Sequence, residues 1–161
     1  MKIRLATETD TKDLARLNGY VQQLHVDLAP DLYRQTDSSA VCEWFAEQIH
    51  DSRNMTLVAE LNGLIVGYSL IRMIQRPAHV FCHDRSCAYL DQICVAPEHR
   101  RKGVGRELLR EAVARASEAG MSKLELDVRS DNELGKASFN AMGFRTFGEK
   151  MALELSALGK S

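Results

Sequence analysis

Val95-Ala96-Pro97-Glu98-His99-Arg100-Arg101-Lys102-Gly103-Val104-Gly105-Arg106 carries an apolar strand through a basic, glycine-containing loop straight into an amphipathic helix. The strand stops at Pro97. The first-turn amides of a helix lack intrahelical partners, and the helix dipole adds partial positive charge there. Such an end receives an anionic phosphate. Gly103 and Gly105 remove side chains that would keep a pyrophosphate from the backbone, and Arg100, Arg101, Lys102 and Arg106 add full charges nearby. The junction points to a phosphate-bearing ligand. Two ligand classes fail on particular residues. A Walker loop needs Gly-Lys followed by Ser or Thr, which is missing. A dinucleotide fingerprint needs a third glycine where Leu108 stands.

Downstream of the loop, Val104, Leu108, Leu109, Ala112, Val113 and Ala116 mark the buried face of the helix, and Gly120 closes it as a C-cap. Residues 123–128 alternate Leu124, Leu126 and Val128 as a strand, 132–142 form a short helix ended by Gly143, and 145–155 form a last extended segment. Upstream lies a strand over 88–95. Before it, Asn62-Gly63 reads as a two-residue hairpin turn between strands 55–61 and 64–74, because both central residues must take positive φ. The chain opens with a strand over 3–6. A helix then starts at Thr9-Asp10, carries Leu14, Leu17, Val21 and Leu24 on its apolar face and ends before Pro30. A second helix starts at Ser38-Ser39, with Val41, Trp44, Phe45 and Ile49 on one side. The order βααβββαβαβ predicts an α/β (α+β) fold, a mixed sheet with helices on both faces.

The 161 residues make one ordinary domain, with 45% apolar and 27% charged residues. A formal charge of −1 excludes a dedicated nucleic-acid or anionic-membrane binder. No run of about eighteen apolar residues is present, so no transmembrane helix is expected. Met1-Lys2-Ile3-Arg4-Leu5 does not resemble a signal peptide, which makes a cytoplasmic location the expectation. His79, Cys82, His83 and Cys87 are four zinc-ligand types within one short segment, but their spacing matches no familiar zinc motif and no metal is assigned. Cys94 tempts a nucleophile reading, with His79 or His83 as base. In an Ile-Cys-Val strand beside a core helix, a small buried hydrophobe is the better reading.

Arg100-x-x-Gly103-x-Gly105 resembles the Arg/Gln-x-x-Gly-x-Gly/Ala signature of the GNAT superfamily of N-acetyltransferases, and it follows a strand ending in Pro97-Glu98 as that signature does. The stretches 128–132 and 137–144, with Asn132, Phe139 and Gly143-Phe144, are similar to the family's late strand and following helix. The resemblance is strong over 89–144. It implies a single N-acetyltransferase domain over 1–161 with a mixed, mostly antiparallel central sheet, and an acetyl-CoA site. Amides from Arg101 through Lys102, Gly103, Val104 and Gly105 to Arg106 would hold the pyrophosphate. Main-chain groups of Ile93, Cys94 and Val95 would pair with the pantetheine arm, Asn132 would contact that arm, and Phe139 would lie near the thioester.

The implied reaction transfers the acetyl group to a primary amine of a small molecule or peptide by direct attack in a ternary complex. A backbone amide near Ile93 or Cys94 would polarise the carbonyl, and Asp91 would act as base through a water and attract a cationic amine. Phe139 departs from the family pattern, where many relatives carry a Tyr that protonates the leaving thiolate. Tyr89 or a water would then substitute, or coenzyme A would leave as the thiolate. The same departure supports an alternative, an acyl-CoA-binding module without turnover. Residues 25–33, expected to leave the first helix, and the loop 76–85 would form the acceptor walls. Asp27, Asp31, Glu43 and Asp84 would favour a cationic acceptor, though such carboxylates are more often solvated. The exposed edge near 147–155 offers a surface for a homodimer.

Overall fold

The computed structural model describes residues 1–153. Two compact units form, Met1–Asp127 and a second beginning at Val128. In the first, β1 (Lys2–Leu5), α1 (Thr11–Leu28), α2 (Ser38–His50), β2 (Asn54–Leu61), β3 (Leu64–Arg76), β4 (Arg85–Val95), α3 (Val104–Glu118) and β5 (Leu124–Glu125) follow in order. The sheet has the same order, β1-β2-β3-β4-β5. All pairings are antiparallel except β4 with β5. The Asn62-Gly63 turn has φ of 52° and 79°, the positive pair its hairpin requires.

Two successive residues of β3 reveal the layers. A Cβ on Gly67 would meet Val104 and Leu108 of α3. Tyr68 points the other way, packing edge-on against Phe45 of α2 at 5.4 Å and bonding Asn18 of α1. So α1 and α2 cover one face and α3 the other. Leu14, Leu17, Phe45, Val58 and Tyr68 are all fully buried in the core on the first face.

The sequence expectations need four corrections. Val113 is 49% exposed, because at 100° per residue it falls outside the arc of Val104, Leu108, Leu109, Ala112 and Ala116. Residues 25–28 remain in α1, which the Ala29 N–H caps by bonding the His25 carbonyl at 2.9 Å. The strand expected over 123–128 is only Leu124–Glu125, since its pairing with β4 stops at Tyr89↔Glu125. The last strand is missing: 145–153 form none, Phe147, Met151 and Leu153 are exposed, and 154–155 lie outside the described residues. The edge on which a homodimer was expected is therefore not formed over its described part.

In the second unit, α4 (Glu133–Ala141) starts at Asn132, whose Oδ1 accepts from the Gly135 N–H at 2.9 Å. It ends at Gly143, φ 99°, with the Phe144 N–H on the Phe139 carbonyl and the Gly143 N–H on that of Asn140. This C-terminal motif brings an apolar pair together, and the Phe139 and Phe144 rings sit 5.7 Å apart.

Candidate functional site

The outer edge of β4 changes character halfway along. The Ala88 N–H bonds the Lys123 carbonyl, so Ala88 turns its backbone toward β5. The Ala96 N–H bonds the Val66 carbonyl, so Ala96 turns toward β3. Backbone direction alternates along a strand, and eight residues would return it to the same side. The reversal comes from a bulge. Leu70 pairs with Gln92 while Ile71 pairs with Leu90, leaving Asp91 as the extra residue. Beyond it, Gln92 and Cys94 face β3, and Ile93 and Val95 face outward. The parallel partner strand ends at Glu125, so it does not run beside them. Of the three residues expected to offer main-chain groups, Ile93 and Val95 are placed for it, whereas the Cys94 backbone faces β3, as that of Ala96 does. The Val95 carbonyl already accepts from Arg100 Nε at 3.0 Å.

The turn into α3 follows. Arg101 (φ 58°) and Gly103 (φ 84°) both adopt the left-handed region, which reverses the chain onto the helix. The N-cap is Gly103, which has no side chain to accept from the first-turn amides. A Cβ at Gly103 or at Gly105 would meet no clash, only Val95 Cγ2 at 3.7 Å from the latter. Packing therefore does not demand a glycine at 105, which is what a backbone kept clear for a ligand looks like. Arg101, Lys102 and Arg106 are exposed around this end. The donor set, uncapped amides plus three cations, suits the pyrophosphate of acetyl-CoA.

On the α1 and α2 face, an open cavity of about 380 Å³ is lined by Arg72, Arg76, Tyr89, Asp91, Glu125 and Asp127, among others. Asp91 Oδ2 accepts from Arg72 Nη2 at 3.1 Å. Burial and a hydrogen bond to Asp127 push the Tyr89 phenol up to about 12, so it stays protonated near neutrality. Cys94 is 4% exposed, its Sγ bonds the Leu17 carbonyl, and burial pushes its thiol up to about 11. Such a thiol makes a poor nucleophile. His79 and Cys82 pair through their backbones across a tight turn, and Cys87 is buried in β4. Among the described residues no three His, Cys, Asp or Glu side chains gather as metal ligands.

Asn132 and Phe139 belong to the second unit, where one caps α4 and the other packs on Phe144. Gly67 was missed by reading the sequence. Its signal was there, a glycine inside the apolar run Ile65-Val66-Gly67-Tyr68, which marks a close backbone approach. Here it lets α3 settle on the sheet, since its Cβ would sit 3.2 Å from Val104 Cγ1 and 3.3 Å from Leu108 Cδ1.

A family model for the Acetyltransferase (GNAT) family matches residues 19–144. N-acetyltransferase family 8 member 3 from Mus musculus is 28% identical over 138 residues, 86% of this chain and 54% of that protein. The chain thus spans about half the length of such curated relatives. A tetramutant of the BH1408 protein from Bacillus halodurans superposes with a TM-score of 0.91 at 28% identity, over 96% of this chain and 100% of that one. An aminoglycoside N-acetyltransferase, AAC(6')-Iy in complex with CoA, shares the fold at a TM-score of 0.71 and 18% identity, over 95% and 98% of the two chains. A family match over most of the chain accompanies the sheet and the turn into α3, and this chain belongs to the GNAT acetyltransferase family, whose enzymes use acetyl-CoA.

Proposed function

We propose that this chain is an N-acetyltransferase that moves the acetyl group of acetyl-CoA to a primary amine of a small molecule or peptide by direct attack in a ternary complex. The observation that carries the reading is the uncapped start of α3 at Gly103 and Gly105, beside the outward-facing Ile93 and Val95. When bound, acetyl-CoA supplies an activated acetyl group. The amides from Arg101 to Arg106 hold its pyrophosphate, with Lys102 and Arg106 adding charge. Ile93 and Val95 pair with the pantetheine arm as an added strand does. The outward Ile93 N–H, rather than Cys94, polarises the acyl carbonyl.

Asp91 draws the acceptor ammonium and takes its proton through a water. Asn132 and Phe139 enter from the family resemblance, as a contact to the arm and a neighbour of the thioester, and the reading takes the whole chain as one N-acetyltransferase domain. Phe139 has no proton to give, so Tyr89 or a water protonates the departing thiol, or coenzyme A leaves as the thiolate. A cytoplasmic location goes with this reading. Among the described residues no helix is long and apolar enough to cross a membrane. Phe139 also favours the second reading, a module that binds acyl-CoA without turnover.

The test is thiol release from acetyl-CoA across a panel holding a polyamine, an aminoglycoside, an amino acid and a peptide. Saturable release with a primary amine is the expected result. Asp91→Asn then slows it about a hundredfold, as loss of a general base does, with acetyl-CoA affinity nearly intact. Binding of acetyl-CoA with no acetylation of any amine would leave the binding module as the function.

A further inference from the structure

An extra residue in a strand is a weak point unless something fixes it, because a one-residue slip turns every backbone group to the other side. Two side-chain ties flank the bulge in β4. Asp91 is held by Arg72 of β3. Gln92 is held more deeply. Its Oε1 accepts from the Tyr68 hydroxyl at 2.7 Å and from Asn18 Nδ2 at 3.0 Å, and Asn18 Nδ2 also donates to the Tyr68 oxygen at 3.1 Å. The three side chains close a triangle across α1, β3 and β4. Tyr68 is fully buried in the cluster of Leu14, Leu17, Phe45 and Val58, and Asn18 is 9% exposed.

Polar groups in that position are costly to desolvate, and an apolar trio would fill the same space without that penalty. What a satisfied buried network adds is a single orientation. The side chains of Asp91 and Gln92 both leave the strand on the α1 and α2 face, one lining the cavity and the next meeting Asn18. Successive side chains on one face occur only at the bulge. The triangle therefore grips β4 one residue before Ile93, the first residue beyond the bulge whose backbone faces outward.

We propose that Asn18 and Tyr68 act through Gln92 as positioning residues, fixing the bulge so that the Ile93 N–H is aimed at the acyl carbonyl. This inference rests on the acetyl-CoA reading above. It separates two properties that a general loss of structure would change together. The phosphate cradle at Gly103 and Gly105 is built by another element, so binding of the cofactor's anionic end is left alone while the reacting end loses its alignment. Misplacement by about 1 Å is enough to cost up to about a hundredfold in rate.

The experiment compares Gln92→Met, which keeps the length and removes the acceptor oxygen, with Gln92→Glu, which keeps two acceptor oxygens for Tyr68 and Asn18. Steady-state rates and the affinity for adenosine 3′-phosphate 5′-diphosphate, the part of CoA that lacks the pantetheine arm, are measured below the melting temperature of each variant. The expected result is a kcat at least about tenfold lower in Gln92→Met, with the affinity for that anionic end unchanged, and recovery of most of that rate in Gln92→Glu. If Gln92→Met does not fold, Tyr68→Phe removes one of the two donors and must show the same split. An unchanged kcat, a parallel loss of affinity for adenosine 3′-phosphate 5′-diphosphate, or failure of Gln92→Glu to recover would overturn the inference. A wild-type protein that acetylates no amine overturns the functional reading instead, so the two failures are distinguishable.

Discussion

The Asp10 carboxylate is 5% exposed and takes two hydrogen bonds from Arg4, at 2.7 and 2.9 Å, and one from the Thr7 N–H at 2.8 Å. The Arg4 bonds, more than any other cause, hold its pKa below the ordinary carboxylate value, against the opposing effect of burial. A carboxyl whose pKa is depressed by folding adds stability above its unfolded value, near pH 4, and loses it as the pH falls through the folded value. We predict that chemical denaturation of Asp10→Asn shows a loss of about 1.5–3 kcal/mol at pH 7. The gap to wild type should narrow below about pH 4; a gap independent of pH would contradict this reading of the pair. Thr9-Asp10 was legible as a helix start. The tie to Arg4 was not, because no local spacing rule brings a strand arginine back over the turn that follows it. Cys94 was legible as core for the opposite reason, since an apolar strand context alone predicts its burial.

The start of α3 rests on β3 at Gly67, where a Cβ would lie 2.9 Å from the Cys94 carbonyl, 3.2 Å from Val104 and 3.3 Å from Leu108. Backbone cannot yield as a side-chain tip can. Gly67→Ala is therefore expected to destabilise the first unit by about 1–3 kcal/mol in urea unfolding; a neutral effect would mean that α3 packs more loosely than these distances imply. The Asn62-Gly63 hairpin and α3, with its Gly120 end, were legible because their signals are local. Gly120 has φ of 77°, and Met121 N–H bonds the Ala116 carbonyl at 2.9 Å. The bulge at Asp91 was not legible, since the run Tyr89-Leu90-Asp91-Gln92-Ile93 carries no glycine or other break in the strand pattern. The early end of β5 and the missing last strand had the same origin. Alternation in 123–128 and the extended look of 145–155 report a preference for strand, whereas a strand also needs a backbone partner.

Across the whole chain, the residues proposed to hold the cofactor's anionic end lie within one short stretch of sequence. That is why the phosphate cradle is legible from the amino-acid sequence alone. The rest of the proposed site depends on which way side chains and amides point. The choice of Ile93 over Cys94, the pairing of Asp91 with Arg72 and of Tyr89 with Asp127, and the Asn18–Tyr68–Gln92 triangle all come from contacts between residues distant in sequence. The acceptor walls remain the least legible part, because no local rule ties 25–33 or 76–85 to a particular amine.

The proposed cofactor site stands or falls with the Gly103-Val104-Gly105 turn as the binder of the acetyl-CoA pyrophosphate. The direct measurement is isothermal titration of acetyl-CoA into the wild-type protein and Gly105→Glu, with ATP as the control ligand. Nothing in the fold opposes a side chain at 105, so circular dichroism should show Gly105→Glu folded. Micromolar acetyl-CoA binding to wild type, no binding to Gly105→Glu, and silence with ATP are expected. Equal affinity of the two proteins for acetyl-CoA, or no binding by the wild type, would contradict it.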